Sequence, residues 1–235
     1  MIKKHVIMVA GGRGVRFGGA VPKQLLLLNG KPVLQHAMEQ FFAFDSALNM
    51  VVALPVGEVT DLWRTAVQGC SVSLPHTLVA GGDTRFQSVK NALKTITGDG
   101  LVAVHDSVRP FVSQATIAAC FEAAERTGAA IPVTPLSDSL RQLTPDGRSV
   151  AVRRDSFCAV QTPQVFRLDV LRKAYEQDFC SDFTDDAAVV ESVGYAVTLV
   201  EGNTENIKIT RPEDFALAEA VCRQTGSRPD ENGQA

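Results

Sequence analysis

Between Ala10 and Lys23 the chain sets Arg13, Arg16 and Lys23 among Gly11, Gly12, Gly14, Gly18 and Gly19, and no acidic residue occurs before Glu39. Glycine tolerates positive φ and has no Cβ to keep a ligand away from the backbone N–H groups. Successive N–H groups in such a turn form a concavity that binds anions. Arginine adds a planar fork of donors and lysine a mobile point charge. On a chain of net charge −3, this is a local concentration of positive potential suited to a polyphosphate. A P-loop would need Gly-Lys-Ser/Thr, which is absent. A dinucleotide fingerprint would need a third glycine where Phe17 stands. Pro22 holds its neighbour extended, so the segment reads as a long open loop carrying Arg16 and Lys23.

Two further segments could do chemistry: Gly81-Gly82-Asp83, and Asp106-Ser107-Val108-Arg109-Pro110. Asp83 could also cap the helix that follows it, and Asp106 could cap a turn before Pro110. The histidines His5, His36, His76 and His105 show no metal-ligand spacing.

Short β-branched runs predict strands at His5–Ala10, Met50–Pro55, Thr77–Ala80, Leu101–Asp106, Ala129–Thr134 and Ala196–Glu201. Apolar residues at helical spacing lie between them: Leu34, Ala37, Met38 and Phe41; Val89, Leu93 and Ile96; Ile117, Phe121 and Ala124. The alternation predicts an α/β fold, a Rossmann-like and mostly parallel sheet with helices on both faces. Ligands of such sheets sit beyond the carboxyl ends of the strands, where all three chemical segments fall. Ser137 to Gln161 breaks the alternation around a turn at Pro145-Asp146-Gly147, which predicts a protruding β-arm at about 137–160. Its outer run carries Arg153 and Arg154, and a two-stranded arm needs a surface to pack on. The last helix opens at Thr210-Arg211-Pro212-Glu213, a capping-box spacing. Residues 1–225 read as a single domain and 226–235 as a disordered tail.

Composition narrows the class. A sequence pI near 5.8 argues against a nucleic-acid binder, and no run approaches the length of a membrane span. The five cysteines form no C-x-x-C pair, which suggests reduced thiols in a cytoplasmic protein.

Taken together, Ala10 to Gln24, Gly81-Gly82-Asp83-x-Arg85-x-x-Ser88, Val104-His105-Asp106-x-x-Arg109-Pro110, Thr162-Pro163-Gln164 and Asn206-Ile207-Lys208-x-Thr210-Arg211-Pro212 resemble the 2-C-methyl-D-erythritol 4-phosphate cytidylyltransferases. Val9, Gly11, Ser107-Val108, Ser139 and Arg141 depart from the usual family residues. The resemblance implies a nucleotidyltransferase-type fold and attack by a polyol phosphate on the α-phosphorus of CTP, with pyrophosphate leaving. Since a phosphate dianion is already a nucleophile, positioning and charge neutralisation carry such a reaction. The resemblance further implies that Arg16 and Lys23 stabilise the transition state and that Arg154 and Lys208 hold the incoming phosphate. Nucleotide binding falls to Ala10, Gly11, Gly12, Arg13, Gly14, Gly82, Asp83, Ser88 and Ser107; polyol binding falls to Asp106, Arg109, Ser139 and Thr162. It implies Mg²⁺, or another divalent cation, held mainly by the CTP phosphates, with Asp106 a possible ligand. It also implies a homodimer whose β-arm reaches the neighbouring subunit.

A ribitol-5-phosphate cytidylyltransferase would share this scaffold, and only the arm and Thr184-Asp185-Asp186 could separate the two substrates. A nicotinamide-dependent oxidoreductase lacks its third glycine and its acidic residue. A non-catalytic nucleotide-binding domain would keep the loop and leave Arg154 and Lys208 idle.

Overall fold

The structure is a computed structural model that describes residues 2–11, 21–68 and 74–226. Gly12, Arg13, Gly14 and Arg16 of the glycine segment lie outside the described residues, as do Cys70 and the tail from 227.

The strands are β1 (Lys4–Val9), β2 (Leu27–Leu28), β3 (Lys31–Pro32), β4 (Asn49–Leu54), β5 (Thr77–Ala80), β6 (Leu101–Asp106), β7 (Ala129–Pro135), β8 (Leu140–Leu143), β9 (Ser149–Val152), β10 (Cys158–Val160), β11 (Gln164–Arg167) and β12 (Thr198–Glu201). The helices are α1 (Val33–Phe44), α2 (Glu58–Gln68), α3 (Arg85–Leu93), α4 (Gln114–Thr127), α5 (Leu168–Ala174), α6 (Asp186–Glu191) and α7 (Pro212–Gly226). The main sheet runs β10-β7-β11-β6-β1-β4-β5, and β12 also pairs with β7. Pairings of β1 with β4 and β6, of β4 with β5 and of β12 with β7 are parallel.

Side chains on a strand alternate between faces, and β1 shows why its run is apolar from Val6 to Val9. Val6 and Met8 pack on one side with Phe41 and Leu34 of α1 and Ile117 and Phe121 of α4. Ile7 packs on the other with Val89 of α3 and Leu171 of α5. Both faces are covered, so the polar positions fall at the start of the strand, where buried His5 has its Nδ1 3.1 Å from Asn49 Nδ2. A third cluster seats Ile209 and Ala218 against Leu28, Val33 and Val108, and so ties the start of α7 to the main body.

The expected parallel layout has two antiparallel additions, β10, beside β7, and β11. β11 lies antiparallel between β6 and β7, in register from Gln164 opposite Val104 to Arg167 opposite Leu101. It follows Pro163 and runs straight into α5, so no turn residues frame it in the sequence. Its direction matters, because the start of an antiparallel strand lies beside the end of its parallel neighbour. Thr162 is thereby brought to the carboxyl end of β6.

Two caps sit one residue from their expected places. Thr84, not Asp83, caps α3, its Oγ1 accepting from Gln87 N at 3.0 Å. At α7 the carboxylate that reaches back belongs to Asp214, not Glu213; its Oδ2 accepts from the N–H groups of Thr210 and Arg211 at 2.7 and 2.8 Å. Within the expected 137–160, β8 and β9 form a separate two-stranded sheet, but β10 at the end of that range joins the main sheet beside β7. Among the described residues, no helix is long and apolar enough to cross a membrane. Among the described residues, Cys120, Cys158, Cys180 and Cys222 form no disulfide.

Candidate active site

The carboxyl ends of β1, β4, β5 and β6 open onto a cavity of about 1180 Å³. Ala10 and Gly11 line it after β1, Pro55 and Val56 after β4, Gly81, Gly82 and Asp83 after β5, and Asp106, Ser107 and Val108 at the end of β6. Lys23, Gln24, Arg85, Ser88 and Lys208 complete much of the wall. Residues nearly 200 positions apart thus meet at one edge because parallel strands all end there.

The backbone of this edge is held tightly. Ser88 Oγ accepts from Gly82 N at 3.0 Å and donates to Thr84 O at 3.0 Å. A Cβ on Gly82 would come within 2.2 Å of Gln87 Cγ, and one on Gly11 within 2.8 Å of Ser88 Oγ. Both positions therefore need glycine for close packing. Gln24, almost fully buried, donates from Nε2 to Ala10 O at 2.8 Å and fixes the start of the glycine segment against Lys23–Leu25. Ser107 donates its N–H to Val9 O at 3.2 Å.

Asp106 is the electrostatic centre. Lys208 Nζ lies 2.8 Å from its Oδ2, Arg85 Nε 3.3 Å from its Oδ1 and Arg109 Nε 3.7 Å from Oδ2. Burial pushes this carboxyl up, but Arg85, Lys208 and Arg109 outweigh it and hold it well below the usual carboxylate range. Asp106 therefore stays ionised. With three cations against it, the wall keeps surplus positive charge to offer an anion. Arg85 is shared: its Nη2 donates to Asp186 Oδ2 at 2.7 Å, and Tyr175 Oη donates to Asp186 Oδ1 at 2.6 Å.

Behind Asp106 lies a buried polar layer. Thr162 Oγ1 accepts from Asp106 N at 3.1 Å and is 3.1 Å from His105 Nδ1. His105 Nε2 is 3.0 Å from Arg109 O. A carbonyl only accepts, so Nε2 carries the proton and Nδ1 accepts from the threonine hydroxyl. Burial pushes the His105 pKa down to about 4 from 6.5. The folded ring resists a proton that the unfolded ring takes up, so this contribution is complete above about pH 6.5 and drains as the pH falls toward about 4. Going from about pH 7.5 to about pH 5 should cost about 2 kcal/mol of stability through His105. Urea denaturation at both pH values checks this, with His105→Gln expected to flatten the difference.

The cavity brings together Ala10, Gly11, Lys23, Gly82, Asp83, Ser88, Asp106, Ser107 and Lys208 of the predicted residues. Arg109 and Thr162 do not line it; they sit behind Asp106, with Arg109 Nη1 donating to Asn206 O at 2.6 Å. Ser139 and Arg154 are exposed on the arm and do not line it either. Arg85, Gln24 and Tyr175 had no predicted role, and Asp186, expected only within a segment that could separate the two substrates, instead pairs with Arg85. Arg85 and Gln24 lie inside motifs quoted above, which was the available signal; nothing in the sequence links Tyr175 to them.

The chain matches the model of the family described as IspD, 2-C-methyl-D-erythritol 4-phosphate cytidylyltransferase, over residues 4–224. The protein of that name from Phocaeicola vulgatus is 48% identical over 220 residues, covering 94% of this chain and all of that one. The one from Bacteroides fragilis is 48% identical over 218 residues, covering 93% and 99%. Among solved structures, the 2-C-methyl-D-erythritol 4-phosphate cytidylyltransferase of Thermus thermophilus superposes with a TM-score of 0.75 at 35% identity, covering 95% of this chain and 100% of that one. With a family match along nearly its whole length and described residues of several matching motifs lining one cavity, the chain belongs to the 2-C-methyl-D-erythritol 4-phosphate cytidylyltransferase family.

Proposed function

We propose that this cavity performs the family reaction, transferring a cytidylyl group from CTP to 2-C-methyl-D-erythritol 4-phosphate with release of pyrophosphate, a step of isoprenoid biosynthesis. The observation that carries this reading is the ionised Asp106 ringed by Lys208, Arg85 and Arg109 on the wall of a cavity that Lys23 also lines. Such a site suits two phosphate-bearing reactants whose charges must be drawn together. Backbone at Ala10, Gly11 and Gly82 has the close access that a base and ribose need. Lys23, with Arg16, neutralises the α-phosphate as the new bond forms. Lys208 meets the incoming phosphate, and Asp106 receives the polyol hydroxyls.

Among the described residues, no three His, Cys, Asp or Glu side chains gather into a group able to hold a metal ion. Asp106 is already committed to three cations. This donor set fits Mg²⁺ arriving on the triphosphate oxygens, since that ion commonly binds through substrate phosphates and few protein ligands. When bound, the ion would neutralise phosphate charge.

The β-arm supports a homodimer. Leu143 at its tip is 80% exposed and Phe157 at its base 52%, apolar surface that a second subunit would cover. Ser139 and Arg154 would then enter the neighbour's cavity. The thiols outside disulfides among the described residues suit the cytoplasm.

A pyrophosphate-release assay tests the reaction. Release with CTP and methylerythritol phosphate, dependent on Mg²⁺, is expected, with ribitol 5-phosphate far slower. Release with ribitol 5-phosphate alone would transfer the assignment to that substrate.

A further inference from the structure

Asp106 presents its two oxygens to different kinds of partner. Oδ2 meets Lys208, whose side chain is 43% exposed at the cavity, and lies 3.7 Å from the less exposed Arg109 Nε. Oδ1 meets Arg85 Nε, and Arg85 is fixed from behind by Asp186, whose side chain is wholly buried. Asp186 in turn spends its other oxygen on Tyr175 Oη. Tyr175 is buried and stacks on Phe86, the residue after Arg85, with ring centroids 4.6 Å apart. Phe183 stacks on Phe86 as well, at 5.8 Å. The chain Tyr175–Asp186–Arg85–Asp106 therefore has one closed end in the core and one open end at the cavity.

We propose that Tyr175, Asp186 and Arg85 are positioning residues that fix the Asp106 carboxylate, so that Lys208 can leave Oδ2 for an incoming phosphate without Asp106 following it. The proposal rests on the reading that Lys208 meets the polyol phosphate. A lysine exchanging between two anions needs the one it leaves to stay in place. Otherwise the ion pair would move as a unit and the hydroxyl-binding oxygens would move with it. Arg85 suits the holding task, since its fork spans two carboxylates at once. Asp186 and Tyr175 keep that fork from swinging toward the substrate's phosphates.

Tyr175→Phe removes the hydroxyl and keeps the stacked ring; Asp186→Asn keeps the shape and removes the charge. In the full chain, each should raise KM for methylerythritol phosphate about 10-fold, the worth of one hydrogen bond to a charged group, while KM for CTP moves less than about 3-fold. In an Asp106→Asn background the same substitutions should add almost nothing, because residues acting through one another are not additive. Equal losses in both backgrounds, or equal rises in both KM values, would overturn the proposal. If Asp186→Asn does not fold, Tyr175→Phe carries the comparison alone. If the unsubstituted chain shows no turnover, the cytidylyltransferase reading fails instead. A crystal structure of Tyr175→Phe then decides the positioning role: Asp106 turned away from Arg85 supports it, and an unmoved Asp106 overturns it.

Discussion

Lys23→Ala should lower kcat for pyrophosphate release about 10²- to 10³-fold, the typical loss when one preorganised charge is withdrawn from a developing oxyanion. The expectation comes from how firmly the lysine is presented. It opens the 3-10 turn Lys23–Leu25, directly after Pro22, whose φ of −56° and ψ of 134° set the direction of entry. The next two residues are anchored, Gln24 by its bond to Ala10 O and Leu25 by burial in the core. The turn therefore keeps its place when the Lys23 side chain is shortened, and the thermal midpoint should hardly change. Binding of CTP should weaken far less than turnover falls, because the charge matters most where negative charge builds at the α-phosphate. Lys23→Arg should recover only part of the rate, since a planar fork does not reproduce a compact ammonium. Steady-state kinetics with CTP and methylerythritol phosphate check all three outcomes. Unaltered turnover in Lys23→Ala would favour a domain that binds nucleotide without catalysis.

The second large effect concerns the arm. Deleting 138–150 should give a monomer with turnover lowered at least about 100-fold, as expected when a reacting group loses its positioning side chains. Among the described residues β8 and β9 pair only with each other, and an isolated two-stranded ribbon is marginal in water. Arg154 lies just beyond them, in the short helical turn Arg154–Ser156, exposed and away from this chain's own cavity. Complementation tests the exchange without a deletion. Lys23→Ala and Arg154→Ala chains should each be nearly inactive, yet a mixed dimer would hold one site with both residues intact. Random mixing should therefore restore about a quarter of normal activity, by the symmetry of a two-site dimer. Sedimentation and the rate of the mixture check this; a fully active monomer after deletion would refute it.

The sequence was most informative where chemistry and topology coincide. β1, β5 and β6 carry continuous apolar runs and end at glycine or aspartate segments, so the cavity edge at Ala10, Gly82 and Asp106 could be read directly. Less legible were features set by contacts between distant positions. β11 has four residues and no flanking turn, and only its pairing with β6 and β7 makes it a strand. Arg85 and Asp186 are 101 positions apart, and no periodicity joins them. The caps at Thr84 and Asp214 each compete with an equally capable neighbour, Asp83 or Glu213. A one-residue choice of this kind depends on where the helix packs, not on the local residues alone. Arg109 and Thr162 carry the right chemistry for a binding wall, yet the antiparallel β11 and the loop before α7 draw them behind Asp106.

The strand-end cavity should grip a nucleoside triphosphate between Ala10-Gly11 and the cations around Asp106. A crystal structure with CTP and Mg²⁺ tests it most directly. Cytosine and ribose are expected against the backbone of Ala10, Gly11 and Gly82, with the phosphates near Lys23 and Lys208 still paired to Asp106 until the polyol phosphate arrives. An empty cavity, or CTP bound elsewhere with turnover intact, would contradict it.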